Sequence, residues 1–197
     1  MIVSGAFALA ICLVFYLSYS FKNMMLKRKG IRTFMIGFGS KPMKTRIIEI
    51  LMMTSSTSLG FSQFLSPVIG MHYGKDWFSV NFIVVGLGVI LGVTGCCIFI
   101  VALIHMKDSW RVGTEDNQKT KLVTSGIFSI TRNPAFCGFD LIYLSNLLLV
   151  PSKSTIILTF ATIFMIHMQI LIEEDFLRSA FGKEYQEYTK KVPRYLM

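Results

Sequence analysis

Two long apolar segments constrain this chain more than any other feature of its sequence. They run from Met1 to Phe21 and from Phe78 to Met106. Each supplies the roughly 20 apolar residues that a helix needs to cross about 30 Å of hydrocarbon. The composition agrees, because 53% of the 197 residues are hydrophobic and only 16% are charged, against about 25% in soluble domains. An integral membrane protein is therefore expected.

Three further segments complete the expected fold, an all-α integral membrane protein with about five transmembrane helices in a single domain, residues 1–197. Met71 to Trp77 is expected to form a short outer loop. Glu49, near the inner end of the second span, is expected to pair with Lys44 or Arg46. The expected spans are 1–21, 47–70, 78–105, 134–150 and 155–172, followed by a cytoplasmic C-terminal segment at 173–197 that contributes to a cofactor pocket.

The distribution of positive charge orients these helices. An acid-free basic cluster separates the first two apolar segments and consists of Lys22, Lys27, Arg28, Lys29, Arg32, Lys41, Lys44 and Arg46. Because such loops stay in the cytoplasm, the N-terminus should lie outside and the C-terminus inside, in the inner membrane if the source is prokaryotic. All lysine and arginine residues except Lys75 and Lys153 then face the cytoplasm. Anionic lipid therefore explains the net charge of +9 without a nucleic-acid partner.

The cysteines predict neither a metal site nor a disulfide framework. All four lie in apolar surroundings without CxxC spacing, where cysteine usually packs as a small hydrophobe. They are Cys12, Cys96, Cys97 and Cys137.

Arg132, Asn133 and Pro134 mark a place where chemistry is expected. Asparagine is a good helix N-cap and proline a good first helical residue, so the fourth span should begin here. Its free N–H groups and the Arg132 guanidinium would form a site for a carboxylate or phosphate. An arginine anchored at the lipid interface beside an ordinary cap explains the same residues equally well.

Three consecutive acids, Glu173, Glu174 and Asp175, stand at the inner end of the fifth helix. Successive side chains point about 100° apart, so the three cannot all face one partner. Arg178 supplies a local partner for Glu174 and Asp175. Glu173 has no such partner and shares a face with Gln169, so Glu173 is the acid expected to face inward.

The tail contains a second short helix. Gly182 should end the fifth helix, and the following KEYQEYTKKV is amphipathic, with Tyr185 and Tyr188 on one face. This helix could lie on the membrane surface with its tyrosines at headgroup level, or fold back as a lid over Arg132.

Two sequence blocks and a short upstream segment resemble a known family. Leu122 to Gly138, LVTSGIFSITRNPAFCG, is similar to L-V-x-x-G-I-Y…R-[HN]-P-x-Y-x-G. The tail EEDFLRSAFGKEYQEYTKKVPR is similar to E-E-x-x-L…F-G-x-E-Y-x-x-Y…V-P-R. Met106 to Arg111, MKDSWR, resembles the segment just upstream. These patterns are those of the isoprenylcysteine carboxyl methyltransferase family and its prokaryotic relatives.

The resemblance implies an integral membrane enzyme that uses S-adenosylmethionine to methylate a lipophilic acceptor from the bilayer. Arg132 and Glu173 would be catalytic as well as cofactor-binding. The cofactor-binding residues that it implies are Leu122, Val123, Gly126, Ile127, Arg132, Asn133, Pro134, Glu173, Tyr185, Tyr188 and Arg194. Phe128 and Phe136 replace tyrosines of the pattern, and Gln169 replaces a common arginine, so the acceptor is less defined than the cofactor.

The acceptor decides whether a general base is needed. A carboxylate nucleophile needs none, so a site can work by positioning and by excluding water. An amine must be neutral to react, and Asp140, an intramembrane acid, would then be a catalytic base. Pairing of Asp140 with His167 or Tyr143 is the structural alternative.

Three other functions fit the same residues. One is a phospholipid or other small-lipid methyltransferase. Another is a reductase of the steroid-reductase type, which has a similar compact helical arrangement and would use NADPH. The third is a non-catalytic membrane scaffold in which Arg132 and the acidic cluster are interface anchors.

Overall fold

The structure is a computed structural model and describes residues 2–36, 41–69, 80–113 and 121–195. Apart from an isolated bridge between Phe34 and Val112 and a single bridge residue at Ser152, these ranges contain helices and loops. The predicted all-α class is therefore confirmed. The helices are α1 (Ile2–Arg28), α2 (Met43–Ile69), α3 (Phe82–Met106), α4 (Pro134–Leu149), α5 (Lys153–Phe181) and α6 (Lys183–Lys191), with 3-10 turns at Lys107–Ser109 and Gly126–Ser129.

Among the described residues, three helices are long and apolar enough to cross a membrane. They cover Val3–Arg28, Phe82–Ser109 and Lys153–Phe181, which indicates an integral membrane protein. The apolar helix α4 is shorter, with 16 residues, and α2 is as long as α1 but more polar. The expected outer loop Met71 to Trp77 lies outside the described residues.

Helices α3 and α4 form the tightest pair in the bundle. A Cβ atom added to Gly95 would lie 2.7 Å from the carbonyl oxygen of Gly138, so the two backbones touch at this point. Further along, the Ser145 hydroxyl donates to the Gly88 carbonyl at 2.6 Å. Small residues of this kind allow close helix packing in lipid. Helix α5 packs mainly against α2, and α1 crosses both α2 and α3.

An aromatic cluster fixes the crossing of α1, α3 and α4. The ring centroids of Phe15, Phe99 and Phe139 lie 4.9 to 5.4 Å apart. Trp110 packs edge-on against Phe99 at 5.9 Å, and its indole N–H donates to Asn23 of α1 at 3.2 Å. The segment after α3 is thereby held under the end of α1.

The loop that follows α1 is hydrogen-bonded to the loop that follows α3. The Met35 N–H donates to the Val112 carbonyl, and the Val112 N–H donates to the Thr33 carbonyl, both at 2.8 Å. A salt bridge of 2.7 Å between Lys29 and Asp108 also links these connections. The ends of α1 and α3 therefore lie on the same side of the bundle.

Glu49 is fully buried and forms its salt bridge with a residue that precedes α2. The Lys41 Nζ lies 2.7 and 2.9 Å from the two carboxylate oxygens and also donates to the Met35 carbonyl. Lys41 was not among the predicted salt-bridge partners, which were Lys44 and Arg46. Lys41 precedes the first helical residue, Met43, so it can fold back over the start of the helix.

Candidate active site

Two cavities adjoin inside the bundle. The larger, of about 230 Å³, is termed the apolar cavity because side chains of α1, α2 and α4, many of them aromatic, form most of its wall. The smaller, of about 100 Å³, lies between the segment before α4, α5 and α6. Apolar side chains also line it, but charged and hydroxyl-bearing side chains form a larger share of its wall than in the first cavity, so it is termed the polar cavity. Two ligands bound in these cavities would meet at the wall that the cavities share. The residues that line both are Met106, Arg111, Gly113, Phe128, Arg132, Asn133 and Glu173.

Most of the implied cofactor residues gather around the polar cavity. Pro134 lines the apolar cavity instead, while Gly126, Ile127 and Arg194 line neither of the two. The residues that do line the polar cavity are Leu122, Val123, Arg132, Asn133, Glu173, Tyr185 and Tyr188.

The Glu174 carboxylate, only 3% exposed, lies between two arginines. Arg132 donates to Oε1 from Nε at 3.2 Å and from Nη2 at 2.9 Å. Arg194 donates to Oε1 from Nε at 3.1 Å and to Oε2 from Nη2 at 2.8 Å. Asp175 pairs with Arg178 as predicted, at 3.2 Å, but the predicted pairing of Glu174 with Arg178 is wrong. Glu174 lies 100° further round the helix from Asp175 and faces the bundle.

The remaining donors of Arg132 hold the segment after α6. Nη1 donates to the carbonyls of Thr189 and Val192, each at 3.2 Å. The backbone N–H of Arg132 donates to the Pro193 carbonyl at 2.9 Å. Residues 192–194 are termed the C-terminal strap. All three side-chain nitrogens of Arg132 thus bind protein groups, and Glu174 of this chain is the anion that its guanidinium binds.

Asn133 is the residue immediately before α4, but its side chain does not cap the helix. Pro134 is the first helical residue, as predicted, and the Asn133 side chain makes no capping hydrogen bond. Its Nδ2 donates instead to the Arg194 carbonyl at 3.2 Å and more weakly to Glu174 at 3.4 Å. Thr131 also donates to the Arg194 carbonyl, at 2.9 Å. The side chains of Thr131 and Asn133, on either side of Arg132, therefore also bind the strap.

Glu173 and Gln169 face the interior from consecutive turns of α5. Glu173 lines both cavities, and Gln169 lines the apolar cavity. Gln169 is 1% exposed, and its Oε1 has no hydrogen-bond partner in the part of the chain that the structure describes. Glu173 likewise forms neither a hydrogen bond nor a salt bridge with any described residue. These two side chains are therefore available to ligands.

Helix α6 folds back over the polar cavity, which is the second of the two arrangements predicted for it. Tyr185 and Tyr188 are buried against Leu122 and Leu177. Tyr188 donates to the Phe128 carbonyl at 2.5 Å. Burial raises the pKa of Tyr188 to about 12, so the phenol keeps the proton that this bond requires. Burial also raises the pKa of Tyr185, whose hydroxyl has no partner among the described residues.

Gly126 and Ile127 lie in the 3-10 turn behind the wall of the site and do not line either cavity. Gly126 has a φ of +65°, and an added Cβ would overlap the His105 ring. Ile127 packs against the buried hydrophobic cluster that contains Phe99 and Trp110. The glycine is therefore required by the backbone of the turn, and neither residue lines either cavity.

Asp140 lines neither cavity, and its role as a base for an amine acceptor stays a prediction. Six residues after Pro134, it is rotated by about 240° around α4. Its Oδ1 is buried without a partner in the described ranges. The predicted partner His167 instead contacts the Tyr195 hydroxyl through Nδ1.

Three important features were missed in the sequence. Glu174 was assigned to a local partner, and Arg111, which lines both cavities, was not considered as a site residue. The strap acts through the Arg194 side chain, which binds Glu174, and through backbone carbonyls, and the carbonyls leave no side-chain signal. The available clues were the position of Arg111 at the end of the MKDSWR segment and the polar Gln169 within an apolar helix.

Fold and site together define a helical membrane protein with a polar and an apolar cavity that meet at a charged wall. Comparison with known proteins is consistent with this class. A family model described as "Phospholipid methyltransferase" matches residues 83–184, more than half of the chain, from α3 to the start of α6. The chain belongs to this family.

Curated relatives support the same assignment. A "Probable protein-S-isoprenylcysteine O-methyltransferase" of Oryza sativa subsp. indica is 31% identical over 124 residues, which cover 60% of this chain and 61% of the relative. The "Protein-S-isoprenylcysteine O-methyltransferase" of Schizosaccharomyces pombe is 34% identical over 83 residues, covering 42% of this chain and 35% of the relative. The resemblance read from the motif blocks is confirmed, although the match spans 61% or less of either relative's length.

Proposed function

We propose that the protein transfers a methyl group from S-adenosylmethionine to a lipophilic acceptor held in the bilayer. The observation that carries this proposal is the shared wall between a polar and an apolar cavity, which contains Arg132, Asn133 and Glu173. The polar cavity suits a water-borne cofactor, and the apolar cavity suits a hydrocarbon chain. Family membership and the relatives named as methyltransferases support the reaction type.

The residues of the polar cavity fit this cofactor. Leu122, Val123 and Leu177 offer apolar surface for a flat base. The unpartnered Tyr185 hydroxyl and the Glu173 carboxylate offer hydrogen-bonding groups for a ribose or an ammonium group. When bound, the cofactor supplies an electrophilic methyl group on a sulfonium, and the Glu173 carboxylate would favour that positive charge.

The chain contributes positioning and exclusion of water. The Glu174 network holds the strap against residues 131–133, and α6 covers the polar cavity. The same contacts fix Asn133 and Arg132 in the shared wall. Arg132 therefore acts by ordering the wall and the strap, with its guanidinium bound to Glu174.

The acceptor would reach the apolar cavity from the lipid between α1 and α2. Tyr16 and Met53 line this cavity and are each 40% exposed, and Thr57 beside them is also exposed. Gly60 packs against Tyr16 and closes the α1–α2 contact on one side of these residues. Because α1 is long and apolar enough to span a membrane, this opening would face lipid.

The proposed topology keeps five spans, with the N-terminus outside and the C-terminus and the polar cavity on the cytoplasmic side. The bridge between the connections that follow α1 and α3 supports it, because both ends lie on one side. Helix α4 is about 24 Å long and would need local thinning of the bilayer or burial against α3. Labelling of Lys191→Cys and Lys153→Cys with an impermeant maleimide tests this, since the two should react from opposite faces.

Calorimetry in detergent tests the cofactor. We expect S-adenosylmethionine to bind, Glu173→Ala to weaken binding, and Asp175→Ala, which removes an exposed acid two residues away, to leave it unchanged. Arg132→Ala should also weaken binding because it releases the strap. Equal binding by all variants would refute the site, and displacement of the cofactor by NADPH would favour the reductase reading. The scaffold reading predicts that neither cofactor binds.

A further inference from the structure

The residue that follows the strap, Tyr195, is bound to the middle of α5. Its hydroxyl contacts Nδ1 of His167, and the two rings lie nearly parallel, with centroids 6.0 Å apart and 22° between their planes. Tyr195 also packs against the buried cluster that contains Ile166 and Ile170. The contact between Tyr195 and His167 is termed the anchor, because it joins the end of the strap to the longest helix of the bundle.

The chemistry of the two side chains suits a directed hydrogen bond. Burial and, to a smaller extent, the nearby Asp140 carboxylate raise the pKa of Tyr195, so the phenol keeps its proton. A neutral histidine ring accepts at Nδ1 when its own proton is on Nε2. The hydroxyl of Tyr195 can therefore donate to His167, and the parallel rings add packing to this bond.

The anchor is one peptide unit away from the carbonyl that binds the wall of the site. The Arg194 carbonyl accepts hydrogen bonds from Thr131 at 2.9 Å and from Asn133 at 3.2 Å. This carbonyl and the N–H of Tyr195 belong to the same planar peptide group. The direction of the Arg194 carbonyl is thus set in part by where Tyr195 is held. Asn133, which that carbonyl binds, lines both cavities.

We infer that His167 and Tyr195 are positioning residues for the proposed methyl transfer. The anchor orients the Arg194 carbonyl, and this carbonyl holds Asn133 in the wall where the two ligands would meet. The inference rests on the proposed function. Neither residue of the anchor lines either cavity, so both act through the strap and not by touching a ligand.

A double-mutant cycle tests the anchor through cofactor binding, measured by calorimetry in detergent. Tyr195→Phe removes only the hydroxyl, and His167→Phe removes the acceptor but keeps a ring. Each should weaken S-adenosylmethionine binding about fivefold, the worth of one neutral hydrogen bond. Because both changes break the same bond, the double variant should bind no more weakly than either single variant. Unchanged binding in both single variants, or losses that add in the double variant, would overturn the inference.

His167→Asn separates the hydrogen bond from ring packing. Its side-chain oxygen can take the place of Nδ1, but it has no ring, so we expect it to bind the cofactor more tightly than His167→Phe does. Equal or weaker binding would assign His167 a packing role and overturn the inference. Phe164→Leu is the matched control, since it removes a ring that is 58% exposed one turn earlier on α5, and it should leave binding unchanged.

Trypsin reports the position of the strap without any cofactor. Cleavage after Arg194, whose side chain is 35% exposed in its ion pair with Glu174, should be about fivefold faster in Tyr195→Phe, in proportion to the released population. Cleavage after Lys29, which is exposed beyond the end of α1, should keep its rate. Intact-mass spectrometry distinguishes the two products. Equal acceleration at both positions would show general loosening of the fold and would overturn the inference.

The two measurements separate this inference from the proposed function. If the unmodified protein binds no S-adenosylmethionine, the proposed function fails, and the cleavage rates alone decide whether the anchor holds the strap. If the unmodified protein binds the cofactor and the anchor variants bind it equally well, the proposed function stands and the anchor has no positioning role. Should His167→Phe fail to fold, His167→Leu takes its place in the cycle.

Discussion

Neutralising Glu174 should destabilise the protein far more than neutralising its neighbour Asp175. Glu174 is 3% exposed and receives two hydrogen bonds from each of two arginines. Asp175 lies on the solvent side of the same helix, and its side chain is 76% exposed in the pair with Arg178. The two substitutions remove the same charge one residue apart, so their difference isolates the buried network.

The magnitude follows from burial. Breaking a buried ion pair by removing one partner costs about 3–5 kcal/mol. Arg194 is 35% exposed, so solvent screens the Arg194–Glu174 ion pair. We therefore expect Glu174→Gln to lower the free energy of unfolding by about 3 kcal/mol, the lower end of this range. Asp175→Asn should cost about 0.5 kcal/mol or less, as exposed pairs do. At about 2–4 °C per kcal/mol for a chain of this size, Glu174→Gln should lower the unfolding midpoint by roughly 6–12 °C.

The chain contains its own probe for this measurement. Cys12, Cys96 and Cys137 are buried, whereas Cys97 is exposed, so in a Cys97→Ser background a thiol-reactive dye reports unfolding in detergent at a fixed heating rate. A drop of less than about 2 °C for Glu174→Gln would contradict the argument, since it would correspond to about 1 kcal/mol or less. An equal drop for Asp175→Asn would show that the burial of Glu174 between its two arginines is not the source of the stabilisation.

Two further predictions concern the tyrosines of the polar cavity and the turn at Gly126. Tyr188→Phe leaves the Phe128 carbonyl without its donor and should lower the free energy of unfolding by about 1–2 kcal/mol. Tyr185→Phe removes an unpaired hydroxyl, so it should leave the unfolding midpoint unchanged and weaken cofactor binding in calorimetry. A lower midpoint for Tyr185→Phe than for Tyr188→Phe would refute the assignment. Gly126→Ala should lower the free energy of unfolding by about 1–3 kcal/mol because of the positive φ, and by a further amount because the new Cβ overlaps the His105 ring. Adding His105→Ala should remove the overlap and recover only that part of the lost unfolding midpoint. Full recovery would show that the backbone conformation carries no strain.

Features set by neighbouring residues could be predicted from the sequence. Helix α4 starts at Pro134, and α5 ends before Gly182, where φ is +53°, because proline and glycine act on their own turn of backbone. The inward orientation of Glu173 followed from the 100° spacing of side chains. These signals need no knowledge of the rest of the bundle.

Contacts between distant residues could not be predicted in this way. Glu174 had a plausible cation four residues away, yet its partners are 42 and 20 residues distant. Asp140 was predicted as a base for an amine acceptor, and its absence from the lining of both cavities depends on how α4 is rotated against its neighbours. The V-P-R motif marked Arg194, but the carbonyl oxygens by which the strap binds residues 131–133 left no signal, because every residue has one.

The order in which the chain is synthesised gives the strap a further consequence. Arg132 and the Val192 carbonyl that it binds are 60 residues apart. At 5–20 residues per second, Arg132 waits roughly 3–12 s for this partner. During that interval α4 and α5 can enter the membrane while a guanidinium and a carboxylate that end up buried are still in water or bound to lipid headgroups. Closing the polar cavity is therefore among the last folding steps, and an insertion factor or an anionic headgroup that shields Arg132 in this interval would govern the yield of closed protein.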